Sequence, residues 1–254
     1  MSLEGFEEAV KRAQTILSGS RYAVAFTGAG ISTPSGIPDF RSKNTGMWER
    51  YSPMETASLT TFRTHPQLFW DWKRPLMLTS WQAQPNPAHL ALARLEAAGI
   101  LKAVITQNID GLHQRAGSKI VLEVHGSIET MTCPRCKRRF RSLDFKAVLE
   151  QEGGIPTCPQ DQVILKPDVV LFEEALPADV WSAAQEHAGK ADTMLIIGSS
   201  LEVYPAAYLP ELALENGART IIVNLSSTNL DKHADVLLPA DVALALPAII
   251  AGIA

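Results

Sequence analysis

Ala25-Phe26-Thr27-Gly28-Ala29-Gly30-Ile31-Ser32, continued by Thr33-Pro34-Ser35-Gly36-Ile37-Pro38-Asp39-Phe40-Arg41, joins an apolar run to a glycine-rich turn. The apolar run 22–26 reads as a buried strand, and two glycines one residue apart then let the backbone turn tightly. Amide N–H groups bared by glycine beside a helix N-terminus attract an anion without any basic side chain. The dinucleotide fingerprint asks for glycine or alanine at its sixth position, where this chain has Thr33, and its next glycine is Gly36. Taken alone, the stretch fits either a nucleotide loop or a plain strand-to-helix turn.

The rest of the chain supplies the frame for that turn. Further apolar runs at 101–106, 120–124, 168–172, 193–198 and 219–224 read as strands, with helices at 178–188, 206–214 and 241–250 between or after them. Strands that are apolar throughout are buried on both faces, so they form a parallel sheet covered by helices on each side. An opening helix puts Phe6, Val10, Ala13 and Leu17 on one face. Asn86 is the N-cap and Pro87 the first position of another helix, which turns Leu90 and Leu95 inward and ends at Gly99. The tryptophan-rich segment 66–81 reads as a helix whose aromatics belong to the core, and the small polar run 42–46 as a lid hinge. The stretch 131–163 breaks the alternation and carries all three cysteines. The chain is therefore α/β: a Rossmann-like doubly wound parallel sheet from residues 1–126 and 164–254, with a small module, 127–163, inserted.

Composition narrows the function. At 254 residues, 46% hydrophobic and 20% charged, the chain builds one large core, or one core with a satellite. No apolar run approaches the roughly 20 residues of a membrane-spanning helix, and the first 17 residues form an acidic amphipathic helix, so a cytoplasmic protein with no membrane partner is expected. A net charge of −4 argues against a dedicated nucleic-acid binder. Arg135, Lys137, Arg138, Arg139 and Arg141 crowd around Cys136, as a solvated face or as a seat for an anionic partner.

Ligands of parallel α/β sheets bind at the carboxyl ends of the strands. Here those ends read Thr27-Gly28-Ala29-Gly30, Thr106-Gln107-Asn108-Ile109-Asp110, His125-Gly126, Gly198-Ser199-Ser200 and Asn224. A lone histidine after a buried strand is usually structural. Beside Asn108 and Asp110 on a neighbouring strand end, His125 becomes a candidate general base, because imidazole titrates near neutrality. No G-x-S-x-G elbow, H-E-x-x-H pair or P-loop lysine is present.

Together, Gly28-Ala29-Gly30-Ile31-Ser32, 36–41, 106–113, His125-Gly126, 198–201, Pro205-Ala206-Ala207 and Asn224 resemble, in this order and over nearly the whole chain, the sirtuin family of NAD-dependent protein-lysine deacylases. The resemblance implies NAD as cofactor and an acylated-lysine protein or peptide as partner. It implies a cofactor site made of Gly28, Ala29, Gly30, Ile37, Asp39, Phe40, Arg41, Gln107, Asn108, Ile109, Asp110, Gly198, Ser199, Ser200, Asn224, Asp241 and Val242. It further implies that Val169, Phe172 and Glu173 meet the substrate and that His125, with Asn108, is catalytic. In such enzymes the acyl-lysine amide oxygen attacks the ribose carbon that carries nicotinamide, and the histidine accepts a proton from a ribose hydroxyl. No serine or cysteine nucleophile is then required.

Two departures stand out against that family. Its zinc module has two C-x-x-C pairs, whereas this chain has Cys133-Pro134-Arg135-Cys136 and Cys158-Pro159-Gln160-Asp161, so Asp161 stands in the fourth ligand position. Zinc accepts carboxylate oxygen, and the expected set is Cys133, Cys136, Cys158 and Asp161. At Glu173 the family usually has glycine, so a side chain is expected beside the bound peptide. Relatives that remove acidic acyl groups carry a tyrosine and an arginine three residues apart in the helix matching 66–81. This segment has no tyrosine, and its one arginine, Arg74, precedes Pro75, so neutral acyl groups are expected. Mono-ADP-ribosyl transfer, a non-catalytic NAD or ADP-ribose sensor and an interaction protein working through the basic module are the rival readings.

Overall fold

The computed structural model describes residues 2–42 and 46–253; three of the five residues expected to form a lid hinge, 43–45, lie outside them. Nine strands follow one another among the described residues: β1 (Ala23–Thr27), β2 (Leu101–Thr106), β3 (Val121–Glu123), β4 (Gly126–Thr132), β5 (Arg139–Arg141), β6 (Lys166–Val169), β7 (Thr193–Ile197), β8 (Arg219–Val223) and β9 (Val236–Leu238). The helices are α1 (Leu3–Gly19), α2 (Pro53–Thr56), α3 (Leu59–Thr64), α4 (Pro66–Gln82), α5 (Pro87–Ala97), α6 (Leu112–Ala116), α7 (Lys146–Leu149), α8 (Ala178–Lys190), α9 (Tyr208–Glu215) and α10 (Val242–Ile250).

Six strands form one parallel sheet in the order β3-β2-β1-β7-β8-β9. Successive strand side chains point to opposite faces, and here both faces are covered. Ala23 and Ala25 of β1, with Leu195 and Ile197 of β7, pack on one face with Val10, Leu17, Leu92 and Leu246 of α1, α5 and α10. Val24 and Phe26, with Met194 and Ile196, pack on the other with Ala184, Ala188 and Leu209 of α8 and α9. That is why these strands are apolar at every position. From β1 the order runs outward to β3, and from β7 outward to β9, so the topological switch lies between β1 and β7, where such sheets open a crevice.

Three sequence expectations are corrected. The run 168–172 is not in the parallel sheet: β6 pairs antiparallel with β4 in a separate three-stranded sheet, β5-β4-β6. Its burial alternates, with Pro167, Val169 and Leu171 buried and Asp168 and Val170 less so, and the apolar residues at the less buried positions masked that period. The sixth parallel strand is instead β9, overlooked because it is three residues long and exposes Leu237. Leu90 does not face inward and is 47% exposed; α5 buries Ala88, Ala91, Leu92 and Leu95, and five residues from Leu90 to Leu95 is not a same-face helical spacing.

The three-stranded sheet has its own core. Ile128, Met131, Cys133, Cys158, Leu165, Val169 and Leu171 pack with Phe62, Phe69, Trp70 and Met77 of α3 and α4. The small lobe is thus built from two separated stretches of chain, and the tryptophan-rich helix belongs to it. No helix among the described residues is long and apolar enough to cross a membrane.

Candidate active site between the two sheets

A cavity of about 500 Å³ lies between the glycine loop after β1, the ends of β2 and β7, and α4 with the β6 edge. All the residues expected at cofactor and peptide line it except Asp241 and Val242. Asp241 instead caps α10, its Oδ1 accepting the Ala243 N–H at 2.7 Å, and Val242 is buried in the core under the sheet.

The glycine loop sits there because two strand ends must touch. Gly28 N–H donates to the Ile197 carbonyl at 3.1 Å and Gly30 N–H to Gly198 at 2.8 Å. A Cβ on Gly28 would lie 2.7 Å from the Gly198 oxygen and one on Gly30 2.8 Å from the Gly198 Cα, so neither position tolerates a side chain. Those two amides are therefore spent on the last residue of β7 and on the glycine that follows it. The glycines provide close backbone approach at the switch point, and the expected baring of their N–H groups does not apply to them.

A buried polar network backs the loop. Asn108 Nδ2 donates to the Gly28 carbonyl and to Ser32 Oγ, each at 3.1 Å. Ser32 Oγ donates to Asp110 Oδ2 at 2.7 Å, and Asp110 Oδ1 accepts the Leu112 N–H at 2.9 Å. Burial pushes the Asp110 carboxyl above its usual range in spite of these two donors. Gln107 Nε2 donates to Ser199 Oγ at 2.9 Å, tying the ends of β2 and β7 across the crevice. At the cavity rim Asp39 accepts the Arg41 and Ser42 N–H groups at 3.0 and 2.7 Å, and Arg41 pairs with Glu202 at 3.1 Å.

Val124 and His125 link β3 of the large sheet to β4 of the small one, with His125 directly before β4. Its Nδ1 lies 3.1 Å from the Gln107 carbonyl, which can only accept, so Nδ1 carries the hydrogen and Nε2 keeps its lone pair. Burial pulls its pKa below the ordinary histidine value, the Gln107 bond raises it and the Arg41 charge lowers it further. The ring is neutral at pH 7 and able to accept a proton.

The other half of the cavity is aromatic and aliphatic. Phe40 and Trp48 have centroids 5.0 Å apart, and Trp48 stacks on Trp72 at 5.9 Å. Met77, Ile109, Ile128 and Val169 complete this side. Sequence reasoning missed Ser32, Trp48, Trp72, Lys73 and Met77 as lining residues. The helical spacing of Lys73, Leu76, Met77 and Ser80 on one face of α4 was the available signal. Glu173 has φ +76°, the left-handed region that favours glycine, and its Oε2 accepts the Thr60 N–H in the first turn of α3 at 2.8 Å.

The thiol cluster has a built-in twofold pattern. Cys133 N–H donates to the Arg138 carbonyl and Lys137 N–H to Cys133; Cys158 N–H donates to Val163 and Gln162 N–H to Cys158. Lys137 and Gln162 both have positive φ. In the second turn Asp161 occupies the place that Cys136 holds in the first. The ligand atoms of Cys133, Cys136, Cys158 and Asp161 all lie within 4.8 Å of one another. The 3.8 Å between the Cys136 and Cys158 sulfurs is the edge of a tetrahedron with Zn–S bonds of about 2.3 Å. The hydrogen bond to Asp161 pushes the Cys136 thiol up to about 12, the conflict between anions that a divalent cation removes. These four residues are positioned to bind a metal ion, and the set is consistent with zinc.

A model of the Sir2 family matches residues 28–205. The chain belongs to the Sir2 family. Among its Sir2 relatives, an NAD-dependent protein deacetylase of Caldivirga maquilingensis is 48% identical over 231 residues, 91% of this chain and 88% of the relative. One of Sulfolobus acidocaldarius is 47% identical over 247 residues, 97% of this chain and 96% of the relative. A solved Sir2 structure with a deacetylated p53 peptide and 3'-O-acetyl ADP ribose superposes with a TM-score of 0.90 at 40% identity, covering 96% of this chain and 98% of that one. The Sir2 resemblance stated from the motifs is thereby established.

Proposed function

We propose that this chain is an NAD-dependent protein-lysine deacylase, which moves the acyl group from a lysine side chain to ADP-ribose and releases nicotinamide. The observation that carries this reading is one cavity whose polar half is the strand-end network and whose other half is an apolar channel, with the neutral His125 held at the seam of the two sheets. NAD would lie along the loop and strand ends, held by Gly28, Ala29, Gly30, Ile37, Asp39, Phe40, Arg41, Gln107, Asn108, Ile109, Asp110, Gly198, Ser199, Ser200 and Asn224, and supplies the ribose carbon to which the acyl oxygen becomes attached. Asn108 and Asp110 fix the wall beside that carbon through Gly28 and Ser32. His125 Nε2 takes a proton from a hydroxyl presented to it. Val169, Phe172 and the apolar side chains exclude water from a neutral acyl-lysine.

Residues 1–126 and 164–254 carry the NAD half in this proposal and 127–163 closes around the metal, with α4 and β6 added to the small lobe by their packing. Three free thiols suit a reducing compartment, and the cytoplasm is the proposed location. A sensor or an ADP-ribosyltransferase leaves the apolar half without a purpose. The test is incubation with an acyl-lysine peptide with and without NAD, following nicotinamide, deacylated peptide and O-acyl-ADP-ribose. Nicotinamide released with no deacylated peptide would replace this reading by ADP-ribosyl transfer.

A further inference from the structure

Lys73 lines the apolar half of the cavity from the middle of α4 and is 3% exposed. Among the described residues it has no ion pair and no hydrogen-bond acceptor. Its near charge is another cation, Lys166, already paired with Glu174 at 2.8 Å. Its closest compensation is the Trp72 ring, with Nζ 5.7 Å from the centroid. Among the described residues the Trp72 indole N–H has no partner either.

A buried ammonium without an anion is costly, and chains seldom keep one where an apolar residue would pack as well. Burial and Lys166 bring the Lys73 amine down to about 7, so the group sits at the edge of losing its charge. A carboxylate arriving beside it would restore the ammonium and make a charge-assisted hydrogen bond. No carboxylate among the described residues does so. The cavity is where a substrate's acyl group would lie.

We infer that Lys73 selects acyl-lysines whose acyl chain ends in a carboxylate, such as succinyl- or glutaryl-lysine. This rests on the deacylase reading and refines its substrate. The reaction is unaltered: the lysine amide C–N bond breaks, the acyl carbon becomes attached to ADP-ribose with its terminal carboxylate unchanged, and nicotinamide leaves. The expectation of neutral acyl groups, reached from tyrosine and arginine alone, overlooked this cation.

The experiment uses the full chain with its metal and one peptide carrying acetyl, succinyl or glutaryl lysine. With NAD, the succinyl-to-acetyl ratio of kcat/KM is measured for the wild type, Lys73→Met and Lys73→Arg. Without NAD, peptide Kd is measured by fluorescence anisotropy. A ratio that falls roughly tenfold or more in Lys73→Met and is retained in Lys73→Arg supports the inference, as does the same Lys73-dependent preference in Kd. An unchanged ratio in Lys73→Met, or equal binding of acetyl and succinyl peptides to the wild type, overturns it. Lys73-dependent succinyl binding with no turnover of any peptide would instead refute the deacylase reading and leave the anion subsite standing.

Discussion

The two lobes solve the problem of holding a core in different ways. The large lobe threads continuous apolar strands through two helix layers, so each residue of β1 and β7 is buried by its neighbours on both sides. The small lobe has three strands, a core assembled from two distant stretches, and four clustered metal-ligand side chains. One lobe is stabilised by surface buried along the sheet, the other by surface plus the cross-link that a metal bound at these four side chains would make. The cavity takes its polar half from the first and its apolar half from the second, so the site depends on both kinds of stability at once.

Removing the base at the seam has the largest expected effect. His125→Ala should lower deacylation by about 10²–10⁴-fold while NAD binding, which rests on the large lobe, survives; kinetics beside a binding titration checks this, and normal turnover would break the proposed division of labour. The pH profile sharpens it. Because burial lowers the His125 pKa, activity should persist through neutrality and fall only below the ordinary histidine value of 6.5, as the ring takes a proton on Nε2.

Metal removal tests the cross-link. Chelation should release one zinc per chain and open the small lobe first, because structural zinc contributes folding free energy to the segment it closes. Hydrogen exchange should rise in β4, β5 and β6 with β1, β7 and β8 still protected; simultaneous loss in both sheets would erase the distinction. Asp161→Cys should bind zinc at least as firmly.

Lys73→Met should stabilise the fold, with a pH dependence that identifies the cause. The amine titrates at about 7 when folded against 10.5 for the ordinary lysine, so the unfolded chain binds the extra proton between those values and wild-type stability rises with pH across that window. The gain from the substitution is largest at and below pH 7 and shrinks toward 10.5 by up to about 1.4 kcal/mol per pH unit. Melting curves at pH 6, 8 and 10 read it; a constant difference would mean packing alone. The smallest effect concerns Glu173. Its carboxylate is tied to α3, so Glu173→Gln should change the preference for basic over acidic flanking peptides by only about 0.2–1 kcal/mol, and only at low salt.

The large lobe was legible because burial on both faces writes itself into sequence as uninterrupted apolar runs, and Gly28, Gly30 and Gly198 mark where strand ends meet. The small lobe was not. The run 168–172 is equally apolar yet sits at the edge of a half-buried antiparallel sheet, and nothing local separates the two cases. Phe69 and Trp70 announced a core without saying whose. Within the site, the polar strand ends could be read in order, but a lone lysine such as Lys73 carries no local mark of the cavity it lines from α4. Asp241 and Val242 lie away from that cavity, Asp241 as the cap of α10 and Val242 in its first turn, and a residue at a helix start reads in sequence as a cap or as a ligand contact alike.

His125 has a further consequence as a mechanical part. Its side chain is pinned to the large sheet through Gln107, and its own carbonyl accepts the Val170 N–H at 2.8 Å beside β6 of the small one. The proposed proton acceptor is therefore also the pivot on which the two sheets meet, and its aim is a readout of their relative angle. A compound wedged between the lobes far from either substrate would silence the enzyme by turning that pivot, without competing for anything the enzyme binds.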